Sequence, residues 1–465
     1  MKILLVSTYE LGNQPINLGY LASFLLDEEL VVKDLSIEDL SDEDIMYSDA
    51  IVMSVPMHTA FMLSSILLTR VRAISRSIPV AFFGLSAHLG RDLLSENQVN
   101  ALFSGECEEE VSRWIRSIKT QKQDAQSLNK INFIGWQRIK LKQPNRKILP
   151  PLENYSKLQI CNTTYLVGSL ETTRGCSHKC THCPVPVVYN GRVRKIETEI
   201  VLADLDQLIQ DGAEHISFLD PDFLNMPAHA IEVAKQLHLK YPALKFDATI
   251  KIEHILKHQT TIEYLAGFGM TSVISAIECV DDKVLSYLDK GHTASDVEAA
   301  IQFLKSLGVE LYPSFVPFTP WSTPESVADI IRFSLNNKII HNIDPIHLTI
   351  RLLVPQGSLI LARFPDHFID TGEVLKVWSN LKTDSLQKAL TEKLDEMTTL
   401  NFSKHEILVE MIEVINTYVD DCCKINIEDV KELLQNSSSI SKTESWFCCA
   451  EPSTLQIKRT EGLKY

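Results

Sequence analysis

The stretch "TTRGCSHKCTHCPVPVVYNGRVR", Thr172 to Arg194, sets Cys176, Cys180 and Cys183 in a C-x₃-C-x₂-C array. Closely spaced thiolates bind zinc or an iron–sulfur cluster. A structural zinc site takes four protein ligands, and no fourth one lies near this loop. The spacing leaves three readings: a cluster with one position open to an outside ligand, a zinc site completed from the carboxy-terminal tail, or unliganded thiols. Ten cysteines in a chain of this length are not a small disulfide scaffold, and their clustering argues for metal or redox chemistry in a reducing cytoplasm. Cys422-Cys423 and Cys448-Cys449 are adjacent pairs, and vicinal thiols suit soft elements such as arsenite. Cys107, Cys161 and Cys279 are scattered and read as small buried hydrophobes.

Other chemistry-bearing residues stand singly. Glu278 ends the apolar run "TSVISAIE", where a carboxylate needs a partner. Asp220, in "ISFLDPDFLN", is either a ligand-binding carboxylate or an Asx turn before Pro221. Thr249, Lys251 and Glu253 alternate, which would put them on one face of a strand. Arg351 opens "RLLVPQGS" and suits a carboxylate, whether that of a cofactor or of an internal ion pair. His182 directly precedes the last cysteine of the array.

These residues need elements to position them. The 465 residues suggest two to four domains. In residues 1–120, "KILLVST", "AIVMSVP" and "VAFFGLS" are continuous apolar runs of the kind buried parallel strands require, giving an open, doubly wound α/β domain. Residues 121–165 are polar, then proline-rich and basic, and read as a linker. Residues 166–365 alternate strand and helix signals in six βα units, a (β/α)6 partial TIM barrel, with chemistry expected at the strand carboxyl ends. Residues 366–440, from "GEVLKVWSNLKTD" onward, read as a helical region, and 441–465 as a tail containing "WFCCAEP". The net charge of −15 argues against nucleic acid as a partner. No apolar run is long enough to span a bilayer, and "MKILLVSTYE" reads as a first strand rather than a signal peptide, so a cytoplasmic protein without a membrane partner is expected.

The array after a first barrel strand resembles the radical S-adenosylmethionine (SAM) superfamily. The resemblance implies a [4Fe-4S] cluster on Cys176, Cys180 and Cys183 whose fourth iron takes the amino and carboxylate groups of SAM. It implies cleavage of a carbon–sulfur bond of SAM to a 5′-deoxyadenosyl radical, and a reductase such as flavodoxin or ferredoxin as electron donor. Carried over residue by residue, His182 lies near the adenine and Asp220 holds the amino group. Glu278 takes a ribose hydroxyl or that amino group, Lys251 faces the lumen beside the cofactor, and Arg351 pairs with the SAM carboxylate. "ISFLDPDFLN" resembles an F-x-D-D-x-F variant from members with a cobalamin-binding-type first domain, with Pro221 replacing its second aspartate.

The first domain resembles those cobalamin-binding domains but lacks their D-x-H-x-x-G motif. The loop after the first strand reads "TYELGNQPINLG", and His58 and His88 read as loop or packing residues rather than cobalt ligands. Cobalamin binding stays open. "WFCCAEPS" is similar to the tail of the CUAEP/CCAEP radical SAM proteins, in which the position of Cys449 can be selenocysteine. Cys448 and Cys449 are therefore expected to be chemically active. Four functions compete: a radical SAM enzyme modifying a small molecule with help from the cysteine pair, a cobalamin-dependent methyltransferase, a thiol-rich metalloid-binding or arsenic-modifying protein, and a catalytically dead scaffold, against which the intact Cys176, Cys180 and Cys183 argue.

Overall fold

The computed structural model describes residues 1–121, 130–160, 163–369, 374–435, 440–442 and 452–462. Strands β1 (Lys2–Ser7), β2 (Glu29–Asp34), β3 (Ala50–Ser54), β4 (Val80–Phe83), β5 (Ala101–Gly105) and β6 (Ile131–Gly135) form one sheet in the order β2-β1-β3-β4-β5-β6, every pair parallel. Ile3–Val6 and Ala50–Met53 are fully buried because helices cover both faces, and each face has its own apolar core. The sixth strand corrects the expected domain boundary. Residues 131–135 pair with β5 instead of belonging to a linker, since their alternating, partly exposed pattern suits the edge of a sheet.

The second sheet has the order β14-β13-β12-β11-β8-β7-β15. Its parallel part is β8 (Thr163–Leu170), β11 (His215–Phe218), β12 (Lys245–Thr249), β13 (Met270–Glu278) and β14 (Glu310–Phe315). β7 (Lys157–Ile160) adds an antiparallel edge, and β15 (Ile440–Lys442) pairs with β7. A short ribbon, β9 (Thr173–Gly175) with β10 (Val193–Lys195), stands at the end of β8. The result is a half-barrel of five parallel strands.

The expected sixth barrel strand does not form. Pro345 opens a 3₁₀ turn to Leu348 that is capped by Asp344, leaving only an isolated bridge between Phe318 and Arg351. Residues 374–383, expected as helix, make isolated bridges at Leu375 and Val377 instead. True helices follow at Asp384–Thr399, Lys404–Asn416 and Ile427–Gln435. Ser403 and Glu406 form a capping box that starts the middle one. The last helix, Thr454–Glu461, returns to the first domain, where Ile457 packs beside Tyr9, Ala60 and Leu63. No helix among the described residues is long and apolar enough to cross a membrane.

Buried polar links join the two sheets. Arg146 is 2 % exposed, donates to both oxygens of Asp204 (2.5 and 2.8 Å) and to Gln14 Oε1 (2.7 Å), and reaches the Ser169 carbonyl (2.6 Å). Tyr155 donates to Asp34 at the end of β2 (2.9 Å). Burial raises the Asp34 carboxyl to about 6, against the opposing hydrogen bonds from Ser36 and Tyr155. A carboxyl raised in the folded state holds its proton more tightly there. Its contribution to stability is therefore complete below about pH 4 and is lost as pH rises through about 6. Asp34→Asn is expected to gain about 3 kcal/mol on the native chain between roughly pH 4 and pH 7. Urea unfolding across that range checks this, and parallel pH profiles for the two chains would refute it.

Candidate active site

Cys176, Cys180 and Cys183 lie on the loop after β9, at the carboxyl ends of the half-barrel strands. Gly175 makes the turn into this loop with φ +78°, and a side chain there would collide with the Arg192 carbonyl. Asn225, beyond β11, accepts from the Ser177 N–H (3.0 Å), the Ser177 hydroxyl (2.8 Å) and the Cys176 thiol (3.6 Å). On the other side, Thr181 donates its N–H to the Leu288 carbonyl and its hydroxyl to the Tyr287 carbonyl (both 2.9 Å). The loop is thus held at both ends by the strand-end segments it must face. Burial pushes the Cys176 and Cys183 thiols up, so a bound metal, rather than the protein alone, would make them thiolates.

Glu278 ends β13 with φ +72°, beside a register shift in its pairing with β14. A non-glycine residue in this region is strained and depends on its surroundings to stay there. Its Oε1 receives Lys290 Nζ (3.0 Å) and His182 Nε2 (3.1 Å). Burial alone would raise this carboxyl; the Lys290 ammonium and His182 outweigh burial and hold it well below the usual range. The Lys290 charge is also felt by Cys180 and Cys183. Glu278 Oε2, His182 Nδ1 and Asn225 Nδ2 are buried without a protein partner. Three thiols ringed by one unused acceptor and two unused nitrogens fit a metal cluster with a polar small molecule beside it.

Two expected ligands have partners within the chain. Asp220 is buried and accepts from the Thr172 hydroxyl (2.7 Å), the Thr173 hydroxyl (2.5 Å) and the Thr172 N–H (3.0 Å), so it positions the β8–β9 corner. Arg351 pairs with Asp384 (2.9 Å), donates to the Trp378 carbonyl and stacks on the Trp378 ring at 3.8 Å. Lys251 follows β12 instead of alternating within it. It meets Glu253 (3.0 Å) and His178 Nδ1 (3.1 Å) as the chain enters the helix Ile252–Lys257.

The scattered cysteines behave as expected where they are described. Cys107 and Cys279 are buried, and Cys279 directs its thiol to the Asp281 carbonyl. Cys422 and Cys423 form no disulfide and share a thiol–thiol hydrogen bond, with sulfurs 3.7 Å apart. Cys161, Cys448 and Cys449 lie outside the described residues. His88 is buried with Nδ1 on the Leu85 carbonyl, and His58 is desolvated at the start of its helix.

Sequence reasoning missed Arg174, on β9 one residue before the loop glycine. Its guanidinium pairs with Glu108 (2.5 Å), Glu171 (3.2 Å) and Glu106 (4.0 Å) and lies over the Tyr20 ring at 4.8 Å. Glu106 and Glu108 follow β5, so one cation ties the first domain to the cysteine loop. No local pattern marks it, because every partner but Glu171 is distant in the chain. Removing the cation would leave buried like charges facing each other. Arg174→Met is expected to cost about 3–5 kcal/mol in urea unfolding and to reduce iron incorporation; an unchanged unfolding midpoint would sink this account.

The sequence model of the radical SAM superfamily matches residues 170–334, from the end of β8 into the helix after β14. The hopanoid C-2 methylase of Rhodopseudomonas palustris (strain TIE-1) is 24% identical over 184 residues, 38% of this chain and 34% of that one. The 4'-phospho-dehydrooxetanocin synthase of Priestia megaterium is 22% identical over 278 residues, 54% of this chain and 36% of that one. The chain thus spans about a third of the length of these curated relatives. Among solved structures, the cobalamin-dependent SAM radical enzyme OxsB with aqua-cobalamin bound aligns over 93% of this chain and 70% of its own (TM-score 0.65, 14% identity). The radical SAM methyltransferase TsrM from Kitasatospora setae, with cobalamin and [4Fe-4S] cluster bound, aligns over 72% and 73% (TM-score 0.55, 16% identity). These structures share the fold, including the first domain in the case of OxsB. The superfamily match begins just before the cysteine loop and takes in Asp220 and Glu278, so residues 170–334 are similar to enzymes of the radical SAM superfamily.

Proposed function

We propose that this enzyme modifies a small molecule by cobalamin-dependent radical SAM chemistry, with a [4Fe-4S] cluster on Cys176, Cys180 and Cys183. The observation that carries the reading is the ring of unused buried polar atoms around those thiols. When bound, the cluster and SAM supply one-electron cleavage of a carbon–sulfur bond. The chain's own residues hold and screen that chemistry. Glu278 keeps its charge through Lys290 and offers Oε2 to an amino group or a ribose hydroxyl. His182, oriented by Glu278, offers Nδ1 beside the last cysteine. Lys290 offsets the negative charge of the thiolates. Phe218, Phe223 and Phe246 are buried and packed ring to ring near the end of β11.

Cobalamin belongs to the proposal because of the first domain. Its strand order reverses between β1 and β3, where ligands of open α/β sheets settle. Ser7 Oγ and Ser104 Oγ are buried without a protein partner at strand ends, and Gly84 and Gly105 bring backbone close there. No histidine occupies the loop after β1. This donor chemistry fits a corrin held through its amide side chains, without imidazole under the cobalt. The hopanoid C-2 methylase among the relatives favours methyl transfer to the substrate. The tail at 441–465 belongs to the proposal as one of the CCAEP kind, with Cys449 as a hydrogen donor or substrate anchor. An external reductase such as flavodoxin or ferredoxin is the proposed electron source.

Anaerobic reconstitution tests the reading. About four irons and one cobalt per chain are expected, and the iron should be lost when Cys176, Cys180 and Cys183 are all replaced by alanine. Four irons retained in that variant would overturn the cluster assignment, and cobalamin bound with an imidazole lower ligand would overturn the cobalamin reading. Glu278→Ala is expected to weaken SAM binding by at least about tenfold, as loss of a charge-assisted hydrogen bond does, with iron retained. Unchanged SAM binding by calorimetry would make Glu278 structural only.

A further inference from the structure

Beside the thiols stands a second group of metal-ligating side chains. His178 lies between Cys176 and Cys180, Asp222 in the turn after β11, and His254 in the helix Ile252–Lys257 after β12. His178 Nε2 is 3.1 Å from His254 Nε2 and 3.7 Å from Asp222 Oδ2; His254 Nδ1 is 2.8 Å from Asp222 Oδ2. Asp222 is 2 % exposed and His254 6 %. Although His254 Nδ1 and Asp222 Oδ2 nearly touch, they are not aligned as a hydrogen bond, and both are buried without another partner. Two such atoms aimed at one small volume point to a shared ligand.

We propose that His178, Asp222 and His254 bind one divalent first-row transition ion, with zinc as the reference case. With one nitrogen taken from each ring, the three donor atoms lie within 4.8 Å of one another; donors about 2.1 Å from one ion stand roughly 3.0–4.2 Å apart, so small side-chain rotations bring all three onto one ion. One carboxylate and two imidazoles are a donor set such ions accept with positions left over. The surroundings supply an outer shell. Asp222 Oδ1 accepts from the Leu224 N–H (3.0 Å), which sets the carboxylate so that Oδ2 faces the histidines. Lys251 Nζ lies 3.1 Å from His178 Nδ1 and 3.0 Å from Glu253 Oε2, which is itself 3.8 Å from Nδ1; a metal on Nε2 requires the ring N–H on Nδ1, so Lys251 must give up Nδ1 and keep Glu253, which then receives that N–H. The bound ion staples the cysteine loop to the ends of β11 and β12. Its net positive charge suits a water or an anionic oxygen of the substrate in the remaining positions.

The probe is cobalt(II), added to the full chain stripped with chelator and carrying serine at positions 176, 180 and 183, so that iron and those thiols cannot contribute. One equivalent should bind with weak visible ligand-field bands and no thiolate charge-transfer absorption, and zinc should displace it. His254→Gln, Asp222→Asn and the half-buried His178→Gln should each weaken binding by about a hundredfold or more, since even outer-shell changes cost 10–100-fold. Thiolate charge-transfer bands would move the ion to the remaining cysteines and overturn the proposal. Equal affinity in the three variants, or no binding by a chain whose far-ultraviolet circular dichroism is native, would do the same. Iron counted separately in the native chain keeps failure of this site distinct from failure of the cluster assignment.

Discussion

The arrangement depends on one buried cation. Arg174 sits on the short ribbon that leads into the cysteine loop, and most of the charge around it comes from the first domain. Burial by itself would disfavour the guanidinium charge; Glu108, Glu171 and Glu106 together reverse that, so the arginine stays charged. The carboxylates depend on it in turn, because burial raises Glu106 and Glu171. A pair of this kind adds little net stability compared with apolar packing, but it tolerates only one geometry. That geometry sets where the first cysteine emerges relative to both domains, and it places the carboxyl ends of the first sheet next to those of the half-barrel.

Around the cysteines, polar groups divide by whether their hydrogen bonds are spent. Asp220 spends both oxygens on Thr172 and Thr173, and Arg351 is committed to Asp384 and Trp378. Both already have partners within the chain. Glu278, His182 and Asn225 each use one atom to become fixed and leave another bare. Leaving a buried polar atom unpaired costs about 1–3 kcal/mol. Three in one place, next to three thiols, are the pattern expected where a ligand completes the hydrogen bonding. The strained backbone at Glu278 belongs to the same pattern, since the Lys290 and His182 contacts keep it in place.

Several features of the fold are legible in local residue patterns. The parallel strands of both sheets are apolar runs bounded by turn residues, and hydrophobic burial on two faces demands that pattern. The cysteine spacing announces metal chemistry because ligands on one loop must be close in sequence. Local reasoning erred where long-range pairing decides. Residues 131–135 look polar enough for a linker, yet an edge strand needs only one buried face. The run around Ile350 looks like a strand, but Pro345 turns the chain before it can join the sheet.

The sequence by itself determined the class of chemistry and the kind of layers that carry it, because thiol spacing, apolar periodicity and turn residues act over a few positions. Only the tertiary structure decided which charged residues serve the ligand and which serve the fold. Asp220 and Glu278 are both carboxylates at strand ends; one meets three donors from Thr172 and Thr173 and the other meets Lys290 and His182, which leave an oxygen over. Arg174 and the His178–Asp222–His254 group were invisible for the same reason. Their partners lie far apart in the chain and are brought within a few ångströms only by packing, where burial makes each such encounter matter.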